Sequence, residues 1–177
     1  MVTAFVASDQ PISTARLELT PLHVGHADEM AVVLSDPALY AIIGGAPPTV
    51  DQLRGRYEQL VAGRSPDDRQ QWLNWTVRLR QEVPTIAVGT VQATIAPDGA
   101  EIAWIIGTPW QGRGYASEAA TALTRWLHDG GVDRVTAHIH PRHPASQAVA
   151  RRAGLTPTGV FDDGEELWCS SHLHPPD

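Results

Sequence analysis

The chain has 177 residues, 42% of them hydrophobic, and sets 13 basic residues against 20 acidic ones for a net charge of −7. That length suits one domain, 1–177, with a core large enough to need no staples, and the acidic balance argues against a protein that grips nucleic acid by neutralising phosphates. A single cysteine, Cys169, cannot build a disulfide framework and fits a reducing cytosol; no stretch reads as a signal peptide or membrane span, so a soluble cytoplasmic protein is expected.

In chain order, residues 1–13 are expected to be a loose head. Ala15 to Leu19 reads as the first strand. Ala27, Met30, Ala31 and Leu34 mark a helix face that Pro37 ends, and Asp36 to Pro48, rich in Gly and Pro, reads as a loop. Thr49-x-x-Gln52 is a capping box opening a second helix with Leu53, Tyr57, Leu60 and Val61 on its apolar face. Residues 64–71 are polar enough to be mobile. Trp72 to Arg80 alternates, with Leu73, Trp75, Val77 and Leu79 on one face, as a half-buried antiparallel strand should. Thr85 to Ile95 follows, and Pro97-Asp98-Gly99 turns the chain into the apolar strand Glu101 to Ile106. A helix from Tyr115 carries Ala119, Ala120, Leu123, Trp126 and Leu127 in a 3.6-residue stripe that Gly130 stops. Arg134 to His140 alternates again, Pro144 suits the first turn of a short helix closed by Gly154, and Thr156 to Phe161 with Glu165 to Cys169 form a hairpin across Asp162-Asp163-Gly164. The tail from Ser170 is expected to be loose.

Between the apolar strand and the third helix lies Gln111-Gly112-Arg113-Gly114-Tyr115-Ala116. Two glycines and an alanine let backbone approach a ligand, and the free N–H groups of the helix's first turn point at it with the positive end of the dipole. Such a turn is an anion site, most often for phosphate, or simply a tight strand-to-helix connection. All basic residues are arginine, so no Walker lysine exists, and Ser117 stands where a dinucleotide fingerprint needs its third glycine.

Gln111-x-x-Gly114-x-Ala116 resembles the Q/R-x-x-G-x-G/A signature of the GCN5-related N-acetyltransferase (GNAT) family. The flanks match too: the preceding strand, Glu118 and Ala119, and the later His143-Pro-Ala-Ser146 with Ala150 and Gly154-Leu155. Together they are similar to the branch holding the ribosomal-protein N-terminal acetyltransferases, most closely from Ala100 to Phe161. The resemblance implies an α/β fold: a mixed, mostly antiparallel twisted sheet of about seven strands with about four helices, splayed at a central parallel pair. It implies acetyl-CoA as the acyl donor, its pyrophosphate held by Gln111, Gly112, Arg113, Gly114, Tyr115 and Ala116, and its pantetheine arm and thioester met by backbone of Ile105, Ile106 and Gly107.

Acetyl transfer to an amine also needs a proton acceptor and a donor for the leaving thiolate. The resemblance makes Glu101 the first choice of base, with His138 and His140 as runners-up. It places Ser146 as thiolate donor or cofactor contact, although a serine there could simply satisfy the helix start. Ala150 stands where many members carry an acidic tyrosine, and His143 where the branch carries an asparagine contacting the cofactor. The first interhelical loop, with Asp36 and Tyr40, and the final hairpin, with Asp162, Asp163, Glu165 and Glu166, supply substrate contacts by the same resemblance. Those acids are either solvated turn residues or favour a small polycation such as an aminoglycoside antibiotic, a resistance-type role. The α-amine of a protein N-terminus is the alternative acceptor, and a non-catalytic acyl-CoA sensor is a reading of another class. His138-x-His140-x-x-His143 lacks a fourth ligand, so no metal is expected. A homodimer is common among relatives, but no residue here proves one.

Overall fold

The computed structural model describes residues 10–171. Their eight strands form one sheet in the order β1-β2-β3-β4-β5-β6-β8-β7: β1 (Ile12–Ser13), β2 (Leu17–Pro21), β3 (Gln71–Leu79), β4 (Ile86–Ala96), β5 (Gly99–Ile106), β6 (Arg134–Ile139), β7 (Thr156–Asp162) and β8 (Glu165–Ser171). Every neighbouring pair is antiparallel except β5 with β6. Five α-helices accompany them: α1 (Ala27–Val33), α2 (Tyr40–Ile43), α3 (Val50–Leu60), α4 (Tyr115–Asp129) and α5 (Pro144–Arg152). Among the described residues no helix is long and apolar enough to cross a membrane.

The expected mixed sheet, splayed at its parallel pair, is present with one more strand and one more helix than the pattern suggests. Residues 12–13 and 170–171, expected within the loose ends, are strand. Ile12 is buried in the main core and pairs with Leu19, and Ser13 Oγ donates to Glu18 Oε2 at 2.7 Å, so residues 12–13 become an edge strand. At the other end Ser170 is buried, pairs with Val135 and lies 3.1 Å from His128 Nε2 through its hydroxyl. The expectations for residues 1–9 and 172–177 lie outside the described residues. The segment expected to be mobile, 64–71, is a turn closed by a bridge between Arg64 and Gln71, with the Ser65 hydroxyl accepting from Gln70 N at 3.0 Å.

Alternation in β3 sorts the two sheet faces. Leu73, Trp75 and Val77 point to the face covered by α4, where the Trp75 and Trp126 rings meet edge-to-face at 5.3 Å. The opposite face is not solvated as a half-buried strand would have it. α1 and α3 pack there, seating Met30, Leu53 and Tyr57 in a second cluster and burying Thr76 completely. Arg78 leaves that face to pair with Glu29 of α1, and its Nε donates to Thr20 Oγ1 at 3.2 Å. The capping box of α3 forms as expected, with Thr49 and Gln52 exchanging hydrogen bonds of 2.9 and 3.2 Å.

What the fold builds for function is a gap in the sheet. β5 and β6 pair only at Ala100 with Val135 and Glu101 with Thr136. Beyond Glu101 they part.

Candidate active site

Gly107 donates its N–H to the Val88 carbonyl at 2.8 Å. Residues of an antiparallel ladder turn their backbone groups alternately to one neighbour and the other, so with Ile106 opposite Gly89 the groups of Ile105 and Gly107 belong to β4. Those of Ile102, Trp104 and Ile106 face the side that β6 abandons. Ile106 O accepts from Gln111 Nε2 at 2.9 Å. The unpaired N–H groups lining the notch are therefore those of Trp104 and Ile106. Of the three residues expected to supply backbone contacts, Ile106 is so placed, whereas Ile105 and Gly107 are occupied. Trp104 was missed because an apolar run hides which way each amide points.

Gln111, expected at the phosphates, also ties the turn to the end of β5 through its side chain. The turn itself is open. Gly114 is the α4 N-cap residue at φ +80, in a left-handed conformation and with no side-chain cap. Glu118 N is the first to close onto it, donating to Gly114 O at 3.0 Å, which leaves the N–H groups of Tyr115, Ala116 and Ser117 without a helical acceptor. Gly112, at φ +74, has nothing within 4 Å of where a Cβ would stand. Unsatisfied donors, a helix dipole and empty space at Gly112 fit an incoming pyrophosphate.

A first-turn carboxylate would repel such a ligand, and Glu118 is one. The fold neutralises it. Arg16 Nε donates to Glu118 Oε2 at 2.6 Å, while Arg16 N and Thr14 Oγ1 donate to Oε1 at 2.9 and 2.6 Å. Burial alone would push the Glu118 carboxyl up, but the hydrogen bonds from Thr14 and Arg16 and the Arg16 charge outweigh it and hold it below the usual range. Arg16 also donates from Nη1 to Arg113 O at 2.9 Å and stacks its guanidinium 4.8 Å from the Tyr115 ring centroid. It thus fixes the turn while cancelling the nearest negative charge. Arg16→Met is expected to raise the KM for acetyl-CoA about tenfold with kcat little changed, and Glu118→Gln in that background to restore part of the loss. Steady-state kinetics over acetyl-CoA decides it; a fall in kcat at unchanged KM would contradict the assignment. No periodicity or turn signal links residues 16 and 118, so sequence reading could not pair them.

At the foot of the notch Glu101 and His138 share a sheet face. His138 Nδ1 lies 3.1 Å from Glu101 Oε1, and a carboxylate being acceptor only, the nitrogen is the donor. The pair is accessible, with Glu101 52% and His138 27% exposed. The first choice of base and one of its two runners-up are thus one dyad, while the other, His140, accepts from Arg142 N at 3.1 Å.

Ser146 is half-buried in the first turn of α5, and its hydroxyl makes no hydrogen bond among the described residues. The helix start is satisfied by His143, whose Nδ1 accepts from Ser146 N at 3.4 Å. That task occupies Nδ1 of His143, the residue expected to contact the cofactor. Burial, then the neighbouring His140, lower its pKa below the ordinary value, a shift towards the neutral form that an acceptor nitrogen requires.

Against the other side of β5 opens a cleft of about 310 Å³ between the sheet and α2–α3. Trp104 and Ile105 line it, so cleft and notch share one stretch of strand. Tyr40 lines the cleft too, its hydroxyl donating to Leu34 O at 3.0 Å. Asp36 does not: its carboxylate accepts from Ala38 N at 2.9 Å as a cap, and that bond, with one from Thr108, lowers its pKa. Asp162, Asp163 and Glu165 also stand outside the cleft lining. Asp162 and Glu165 pair across the hairpin turn, and Asp163 takes a left-handed conformation at its tip. A larger groove of about 760 Å³ lies at the opposite end of β5 and α4, around Pro97–Gly99 and residues 130–134.

An open helix-start turn beside a splayed parallel pair is the arrangement that the GNAT resemblance implies. Residues 16–156 match the family model described as acetyltransferase (GNAT) domain, and the chain belongs to that family, whose cosubstrate is acetyl-CoA. The chain is 32% identical over 73 residues to an uncharacterized N-acetyltransferase, YnaD, of Bacillus subtilis (strain 168), a match taking in 38% of this chain and 43% of that protein's length. Among solved structures it is similar to RimL, a ribosomal alpha-N-protein acetyltransferase in complex with coenzyme A, at a TM-score of 0.72 and 18% identity over 92% of this chain and 98% of that one. It is similar also to the microcin C7 self-immunity acetyltransferase MccE, in complex with acetyl-CoA and AMP, at a TM-score of 0.73 and 18% identity over 93% and 99%.

Proposed function

We propose that this chain transfers acetyl from acetyl-CoA to a primary amine that enters through the cleft between the sheet and α2–α3. The observation that carries the reading is the shared stretch Trp104–Ile105, which borders the cleft on one side and the notch on the other. Acetyl-CoA brings the thioester, whose C–S bond breaks as the amine's N–C bond forms. The N–H groups of Trp104 and Ile106 are placed to orient the acyl end and stabilise developing negative charge on its oxygen. Glu101 takes the amine's proton at a carboxylate oxygen, directly or through water, and His138 holds the carboxylate by donating from Nδ1. Ser146 Oγ, uncommitted within the protein, donates a hydrogen bond to the departing thiolate, which is released as such or takes its proton from water.

Of the acceptors the sequence suggests, the aminoglycoside rests on acids that do not line the cleft. The free α-amine of a peptide or another amine of low positive charge agrees better with its walls. Coenzyme A release from acetyl-CoA, followed with aminoglycosides and with short peptides bearing free N-termini, tests both. Amine-dependent release supports the proposal, and release confined to aminoglycosides returns a role to the hairpin. Tight acetyl-CoA binding with no release by any amine would replace the enzyme with an acyl-CoA sensor.

A further inference from the structure

The charges around the acceptor cleft are uneven. Its walls are apolar, with Leu34, Ile43, Leu53 and Leu60 among them, and its one charged lining residue is Arg56. Arg54, two positions earlier on the same helix, is committed to Asp51 at 3.1 Å and Asp28 at 3.2 Å. Arg56 makes no hydrogen bond or ion pair among the described residues. In a chain of net charge −7, Arg56 thus stands exposed on the rim of an apolar cleft with its guanidinium donors open to an anion.

The rest of the lining agrees. Asn74 and Gln92 stand opposite each other on β3 and β4, and Gln92 opposite Ala103 on β5, so a row of neutral carboxamides crosses the cleft floor towards the notch. Neither side chain is committed to another hydrogen bond among the described residues, and both can accept from one amine without drawing a second ammonium. Tyr57 adds no negative charge either, because burial pushes its phenol up to about 12. Several ammonium groups placed here would be desolvated beside Arg56 and meet no carboxylate among the cleft's lining residues.

We infer that the acceptor is a monoamine with an apolar or aromatic body and a carboxylate, held through that carboxylate by Arg56. The amine end lies over the Asn74–Gln92 row, towards Ala103 and the notch. This rests on the acetyl-transfer reading above for the identity of the reacting group, but its binding content stands apart from turnover.

The test is calorimetric titration, in the presence of coenzyme A, of a matched pair, para-(aminomethyl)benzoate and para-(aminomethyl)benzamide, with an aminoglycoside as third probe. The wild-type protein is expected to bind the acid about tenfold more tightly than the amide, as a charge-assisted contact allows. Arg56→Gln erases that preference, while Arg54→Gln, whose partners lie outside the cleft, keeps it. Equal binding of acid and amide, binding of neither, a preference that survives Arg56→Gln, or tighter binding of the aminoglycoside would each overturn the inference. Thiol release with the same probes tests the transfer step separately: a bound acid that is never acetylated sinks the catalytic reading and leaves the Arg56 site standing.

Discussion

Glu101→Gln is expected to lower kcat by about 10² to 10³ while leaving the KM for acetyl-CoA near that of the wild type, the usual scale for loss of a positioned general base. The amide keeps the shape of the side chain and loses the ability to hold the amine's proton. Because the site is half open to water, the residual rate of the variant should climb with pH as more of the amine is already deprotonated in solution. His138→Gln tests positioning: its imidazole touches the carboxylate, 3.1 Å away, rather than the amine in this reading, so a loss of about tenfold is expected. Full pH profiles of kcat decide between the roles. A Glu101→Gln enzyme with about the wild-type kcat at every pH would make Glu101 a solvated strand-end carboxylate.

Gly89→Ala should be among the most damaging single-methyl changes in the sheet. Gly89 sits opposite Ile106, where the β3–β4 register shifts at the neighbouring Val88. A Cβ there would overlap the Ile105 carbonyl oxygen and stand 2.7 Å from Ile106 Cδ1 and 3.1 Å from Ile106 Cα. Two of those three atoms are backbone, so β4 and β5 must separate at the point where β5 borders the notch. Overpacking of this kind costs about 3 kcal/mol, and turnover should fall with it as Trp104 and Ile106 move. Gly112→Ala is the contrast: its φ of +74 is strained for a side chain, yet nothing lies within 4 Å, so about 1 kcal/mol is expected. Urea unfolding of both variants measures the difference. Gly89→Ala within about 0.5 kcal/mol of wild type, on the order of a neutral surface change, would show that the strands can part at no penalty.

The elements with a strong period were legible. β3 declares itself by alternation, α4 by its apolar stripe and its glycine entry, and α3 by a capping box that forms as read. Shorter elements were not, since two residues of β1 or four of α2 carry no period; tertiary contacts, such as Ile12 entering the core, decide them. Sheet order was only half readable. A hairpin turn says that β7 pairs with β8, but not that β8 is the strand inserted next to β6.

The site divides the same way. The glycine turn at 111–116 was visible because glycines before a helix have a local meaning. Arg16 and Arg56 were not: Arg16 acts on a carboxylate 102 positions away, and Arg56 is indistinguishable from any exposed helix arginine until the cleft is built around it. His143, rather than a serine side chain, satisfies the start of α5 for a local reason. An imidazole three residues ahead reaches the same amide that a serine could have capped.

The central claim is that acetyl-CoA lies across the turn at 111–116 with its thioester in the notch beside β5. Hydrogen exchange with and without acetyl-CoA tests it residue by residue, because an amide that gains a ligand acceptor exchanges more slowly. Slowed exchange at residues 112–117 and at Trp104 and Ile106 is the predicted result. Protection confined to residues 64–71 and 130–134, around the larger groove at the opposite end of β5, would contradict the account and place the cosubstrate on the wrong side of the molecule for every role assigned here.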